Sequence, residues 1–168
     1  MAYRNGPNVV SEGLVFSADA KNIKCYPGSG TTLTDLGSNN SGITLSNADI
    51  GTTTDGVFDF TGNASSGTDR YIDTPNTIGY TTKVSCFIWA KRTTNTGVAG
   101  SYHILVGDGA LEMSWNTGGS YLRHGVEVNG TRYVQNDGSA IGTNTWHYCG
   151  ITYSNYTRKA YVDGVLQG

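Results

Sequence analysis

Apolar residues in this chain alternate with their neighbours instead of recurring every third or fourth position. Val84–Lys91 reads VSCFIWAK. One face of that run carries Val84, Cys86, Ile88 and Ala90, and the other carries Ser85, Phe87, Trp89 and Lys91. A strand that is apolar on both faces belongs in the middle of a sheet, with something packed on each side. In Trp146–Tyr153, WHYCGITY, the phase Cys149, Ile151, Tyr153 opposes Trp146, Tyr148 and Thr152. The pattern therefore places Val84, Cys86, Ile88, Cys149 and Ile151 between two sheets. Phe87, Trp89 and Tyr148 then point to a second face, either under long loops or into a concave groove.

Further strand candidates recur at spacings of about 8–15 residues, as in a sandwich or barrel rather than in βαβ units. They are Gly13–Ser17, Val57–Thr61, Arg70–Asp73, Lys83–Arg92, Tyr102–Val106, Ala110–Trp115, Tyr121–Val128, Thr131–Gln135, Trp146–Tyr153 and Lys159–Val162. Residues 38–56 read as loop, with a short strand at most at Ile43–Leu45. Asn129-Gly130 and Asp163-Gly164 are two-residue hairpin loops, because a type I′ turn needs positive φ at both central positions. After Asp163-Gly164 a returning strand begins.

Composition agrees with an all-β chain. Glycine accounts for 24 of 168 residues and charged residues for only 14 %. Residues that favour exposed helices are scarce, and turn formers abound. The formal net charge is −2, and no Lys/Arg run occurs. Both observations argue against nucleic acid or an anionic membrane surface as partner. No stretch approaches the length of a membrane span, and MAYRNGPNVV lacks the apolar core of a secretory signal. Cys25, Cys86 and Cys149 are odd in number and widely spaced, so they read as free thiols acting as small core hydrophobes.

Five segments together carry a resemblance. They are GLVFSADAKN (Gly13–Asn22), YPGSGTTLTDLGSNNSG (Tyr26–Gly42), GVFDFTGNASSGTDRYI (Gly56–Ile72), VSCFIWAK (Val84–Lys91) and NTWHYCGITYSNYTRKAYVDGVL (Asn144–Leu166). This set resembles the laminin G-like, concanavalin A-like superfamily. Its Trp-His pair and Tyr-Val-Asp-Gly turn involve Trp146, Tyr161, Asp163 and Gly164, with Trp89 on the central strand as a further structural residue. The opening segment is similar to laminin G-containing structural proteins of tailed, particularly marine, bacteriophages. The resemblance implies a jelly-roll sandwich of two antiparallel sheets. It further implies an N-terminal arm at 1–12 and one domain over 13–168, short of the family's last strands. Three explanations stay open: the residues are one domain of a longer protein, the fold is a variant closed by its own N-terminal segment, or the edge is completed by another chain, as a homo-oligomer or symmetric assembly in the virion.

Four kinds of chemistry deserve a test. Glycoside hydrolysis needs two carboxyls about 5–9.5 Å apart. Glu12, Glu112 and Glu127 stand apart in sequence, while Asp55/Asp59 and Asp69/Asp73 fall at strand ends and turns. No enzyme is expected. Calcium takes six to eight oxygens, and the candidates are Asp69, Asp73, Asp108 and Asp137, with Asn63 or Asn136. No EF-hand-type loop is present, so solvated turns are the plainer account and no cofactor is required. For zinc, His147 and Cys149 share one strand face, but no Cys-x-x-Cys or His-x-x-x-His accompanies them. For sugar binding, Trp115, Tyr121, Arg123, His124, Tyr133 and Gln135 would form a groove if their strands build a concave sheet. The same aromatics also suit plain cross-strand packing.

The expectation is therefore a non-enzymatic virion protein, a capsid decoration or tail component that touches host-surface glycans. The alternative is a carbohydrate-binding adhesin module of a larger viral or bacterial surface protein.

Overall fold

The computed structural model describes residues 12–37, 42–45, 51–52, 56–60, 72–73, 83–93, 102–107, 111–116, 121–137 and 141–168. Among these residues every helix or strand assigned is a strand. The chain divides into two compact units, Met1–Ile78 and Gly79–Gly168. This boundary differs from the expected arm at 1–12 followed by one domain.

The first unit holds β1 (Thr32–Thr34), β2 (Gly42–Leu45), β3 (Gly51–Thr52), β4 (Phe58–Asp59) and β5 (Ile72–Asp73). β1, β2 and β5 form one antiparallel sheet in that order, and β3 pairs with β4. Cys25, Tyr26, Leu33, Ile43 and Leu45 are its buried core, joined by Phe16, Leu36, Phe58 and Ile72. Tyr26 meets Phe58 edge-on at 5.6 Å. Gly13–Ser17 is not the expected strand. Its bonds go to individual groups rather than to a ladder. The Ser17 N–H donates to buried Asp35 Oδ1 at 2.8 Å, and the Ser17 carbonyl accepts from the Leu36 N–H at 2.8 Å.

The second unit is a β-sandwich. Its strands are β6 (Lys83–Ala90), β7 (Tyr102–Gly107), β8 (Leu111–Asn116), β9 (Leu122–Val128), β10 (Thr131–Asp137), β11 (His147–Ser154), β12 (Thr157–Val162) and β13 (Val165–Leu166). One sheet runs β10-β9-β8-β7 and the other β13-β12-β11-β6, and every pairing is antiparallel. Leu111, Met113, Trp115, Leu122 and Val126 from the first sheet and Cys149, Ile151, Tyr153 and Ala160 from the second form one core. Val84, Cys86 and Ile88 pack against it, as their alternation predicts. The three cysteines carry no disulfide.

Asn129-Gly130 has φ of 51° and 74°, and Asp163-Gly164 has 52° and 80°. Both are the two-residue hairpins that their sequences announce. A third, Asn155-Tyr156 at 49° and 65°, joins β11 to β12. Two arginines tie the sheets together. Arg92, following β6, donates to the carbonyls of Ile141 (2.8 Å) and Asn116 (3.3 Å) and lies 5.7 Å from the Trp115 ring centre. Arg158 on β12 reaches β10, donating to the Tyr133 carbonyl at 2.7 Å and Gln135 Oε1 at 3.2 Å.

Candidate functional site

The outer face of the β6–β11–β12 sheet carries the most unusual surface among the described residues. Directly opposed residues on antiparallel strands share a face. The register Trp89↔Tyr148, Phe87↔Gly150↔Tyr161 and Ser85↔Thr152↔Lys159 lays these side chains out as successive rows. A last row holds Lys83, Ser154 and Thr157. Phe87 is 46 % exposed and Trp89 62 %, so two large rings face solvent on β6, which is the end strand of its sheet among the described residues and not the middle strand that its two apolar faces predict. Phe87 stacks on Tyr148 with ring centres 5.6 Å apart and planes 11° from parallel. Trp89 also packs on Tyr148, with ring centres 5.2 Å apart and planes 39° from parallel.

Gly150 explains why Phe87 lies flat. A Cβ at position 150 would overlap the Phe87 ring edge. The missing side chain leaves a shallow trough across β11 in which the ring rests. The φ of Gly150 is not in the left-handed region, so the backbone there does not itself demand glycine.

The far end of the platform is pinned by the turn of Asp163-Gly164. The Asp163 carboxylate accepts from the Tyr148 N–H at 2.8 Å and meets His147 Nδ1 at 2.8 Å. The Asp163 N–H returns a bond to the Tyr148 carbonyl at 2.9 Å. The Tyr148 N–H, then His147, hold the Asp163 carboxyl below its usual range. The Trp-His pair and the Tyr-Val-Asp-Gly turn are thus one bonded unit, which positions Tyr148 between its aromatic neighbours. Trp146 is 41 % exposed, with Lys91 Nζ 5.5 Å from its ring centre.

The other sheet presents a different outer face. Glu112 and Ser114 are 5 % and 0 % exposed. Ser114 Oγ donates to Glu112 Oε1 at 2.8 Å, Arg123 Nε stands 3.1 Å from the same oxygen, and Arg132 pairs with Oε2. Glu127 lies diagonal to Glu112 on the same face and opposite Arg132, so the two glutamates are neighbours although distant in sequence.

The six residues expected to line a sugar groove do not share a surface. Trp115 (2 % exposed) and His124 (1 %) point into the sandwich core. Leu111, Met113 and Trp115 alternate inward together, and His124 shares the phase of Leu122 and Val126. Arg123 is on the opposite face, engaged with Glu112. Tyr133 is exposed at 54 %, Gln135 is exposed and binds Arg158, and Tyr121 precedes β9 at 42 % exposure.

Of the calcium candidates, Asp69 and Asp108 lie outside the described residues, and Asp73 is described only as the backbone partner of Thr44 in β5. Among the described residues no group of three or more His, Cys, Asp or Glu side chains is placed to hold a metal. Burial pushes the thiols of Cys86 and Cys149 up to about 11, and the Trp115 indole only partly opposes this at Cys149.

The sandwich fits what the sequence comparisons find. A laminin G profile, described as concanavalin A-like lectin/glucanases superfamily, matches residues 66–168. No curated protein and no solved structure matches the chain. The match spans more than half of the sequence and contains the entire two-sheet unit, so the chain belongs to the concanavalin A-like lectin/glucanases superfamily.

Proposed function

We propose that the chain is a non-catalytic carbohydrate-binding domain whose binding surface is the aromatic platform of Phe87, Trp89 and Tyr148. The observation that carries this reading is three adjacent rings on one sheet face, with Phe87 and Trp89 about half exposed or more. Keeping such rings in water is unfavourable, and contiguous exposed apolar surface marks an interaction site. Flat rings suit the C–H faces of sugars, as they suit each other's faces. The hydroxyls of Ser85, Thr152, Ser154 and Thr157 continue the same face and can bond sugar hydroxyls.

Glu112 is buried, with one oxygen engaged by Ser114 and Arg123 and the other by Arg132, so this carboxylate is occupied within the sheet and not presented to a ligand.

Affinity electrophoresis through gels containing individual polysaccharides tests the proposal. Retardation by at least one polysaccharide, lost in Trp89→Ala, is expected. Free migration through every gel would refute it.

A second reading places the chain in a bacteriophage virion, where this face would pack on a neighbouring protein. Exposed Val165 (62 %) and Leu166 (53 %) favour it, because Leu166 sits opposite Tyr161 and widens the apolar surface. Isolation of the chain from purified particles, cross-linked through β13 to a second protein, is the outcome that reading requires.

A further inference from the structure

The platform continues into a cationic, hydroxyl-rich half. On the outer face of β6, β11 and β12 the strand positions are Lys83, Ser85, Phe87, Trp89; Tyr148, Gly150, Thr152, Ser154; and Thr157, Lys159, Tyr161. Two of these eleven are lysines and none is acidic. Lys91, just past β6, adds a third cation beside Trp146. Asp163 sits in the adjoining turn and is occupied by His147 and the Tyr148 N–H. In a chain of net charge −2, these strand positions carry cations and no acid. Elsewhere in the same unit the reverse holds: Arg123 and Arg132 are matched by Glu112.

Spacing follows from the register. Lys83 and Lys159 lie two strands and two residues apart, about 12 Å between their Cα positions, and the Trp89 row is about 20 Å from the Lys83 row. Both lysines are exposed. A ligand crossing the face would stack on rings at one end and meet separated positive charges at the other. We infer that the platform takes an anionic polysaccharide, one whose sugar faces rest on Phe87, Trp89 and Tyr148 while its carboxylate or sulfate groups meet Lys83 and Lys159. This inference rests on the proposed carbohydrate function and names the ligand class for that same surface.

Single-stranded nucleic acid also combines stacking with negative charge. It carries a charge on every nucleotide and is held by a continuous basic groove. Two strand-borne lysines separated by serine and threonine match a sparser charge and a partner rich in hydroxyls.

The test compares the intact chain with Lys83→Gln/Lys159→Gln and with Trp89→Ala. The probes are polygalacturonate, dextran sulfate, neutral dextran and a thymidine oligonucleotide, each titrated at low and at 0.5 M salt. The intact chain is expected to bind polygalacturonate or dextran sulfate more tightly than dextran, with salt weakening the anionic complexes only. The lysine pair should lose roughly tenfold in anionic affinity, since each exposed charge contact contributes modestly. It should leave any dextran binding unchanged, whereas Trp89→Ala should weaken every sugar polymer. The preference between the two anionic probes separates carboxylate from sulfate recognition. Equal, salt-insensitive binding of neutral and anionic polymers overturns the charge inference and leaves the platform reading intact. Binding to none of the polysaccharides overturns both. Tightest binding to the oligonucleotide overturns the inference in favour of nucleic acid.

Discussion

Gly150 offers a way to disturb the platform without disturbing the sandwich. In Gly150→Ala the new methyl occupies the trough where the Phe87 ring rests. The ring is 46 % exposed, so it is expected to tip off Tyr148 while the backbone stays. Two terms oppose each other in stability. Loss of the Phe87–Tyr148 stack costs about 0.5–1.5 kcal/mol. Replacing a strand-interior glycine by alanine returns about 0.5–1 kcal/mol. The net change in unfolding free energy is within about 1 kcal/mol, read by urea denaturation. Binding has no such offset. With one of three rings displaced, affinity for a retained polysaccharide should fall roughly tenfold, equivalent to about 1.4 kcal/mol in calorimetric titration. A variant that loses more than about 3 kcal/mol of stability would show Phe87 to be a structural ring. One with both stability and affinity unchanged would show that the flat platform is not the binding surface.

Glu112→Gln removes the carboxylate that partly buried Arg123 and half-exposed Arg132 face, and should cost about 2–4 kcal/mol by urea denaturation. Arg132→Ala should cost under about 1 kcal/mol, because that side chain is 46 % exposed and solvent screens the pair; equal losses would contradict the ranking. Cys25, Cys86 and Cys149 are largely buried and their thiols shifted upward. At pH 8 none should react with iodoacetamide in the folded chain, and all three should react in urea, as read by intact mass. Asp163 titrates below its ordinary 3.8 when folded, so its contribution is present above that value and fades as pH falls through the lower, folded pKa. Asp163→Asn keeps an acceptor and tolerates positive φ. It should unfold within a few degrees of the parent at pH 7 and lose part of the parent's melting-temperature decline below about pH 4; an unchanged decline would assign acid sensitivity to other carboxyls.

Much of the sandwich is written in local pattern. β6 and β11 announce themselves by alternation, and their inward residues are those facing the core. Asn-Gly and Asp-Gly place two hairpins, because glycine removes the strain of positive φ at the second turn position. Asn155-Tyr156 does not, since tyrosine at φ 65° is held there by the β11–β12 pairing and not by its own preference. The groove expected from Trp115 and His124 illustrates a phase error. LEMSWN carries Leu111, Met113 and Trp115 on one side, and that alternation already points Trp115 inward with its aliphatic neighbours. The Glu112 cluster was beyond reach, because Arg123 and Arg132 come to it only through a register that spans two ladders. For the β6 outer face the sequence left two covers open, loops or a groove. The exposure of Phe87 and Trp89 is what makes it a surface.

The two outer faces of the sandwich use their chemistry in opposite ways, and this bears on where function lies. On β8, β9 and β10 the reactive residue types are present but spent: a buried carboxylate accepts from a buried hydroxyl and pairs with two guanidinium groups. Such a cluster fixes strand register, since a slip of one residue would bury Glu112 with no partner at a cost of several kcal/mol. On β6 and β11 nothing is spent. The rings of Phe87 and Trp89 gain only part of the burial open to them, and strand-borne Lys83 and Lys159 meet no acid among the described strand residues of their face. β6 is apolar on both sides yet covered on one, and its inner residues pack beside Cys149, Ile151 and Ala160 of β11 and β12, which stand at 0 % exposure. The surplus apolar surface outside then serves contact with something other than this unit, and its flatness, hydroxyls and separated positive charges describe a sugar polymer better than a protein surface.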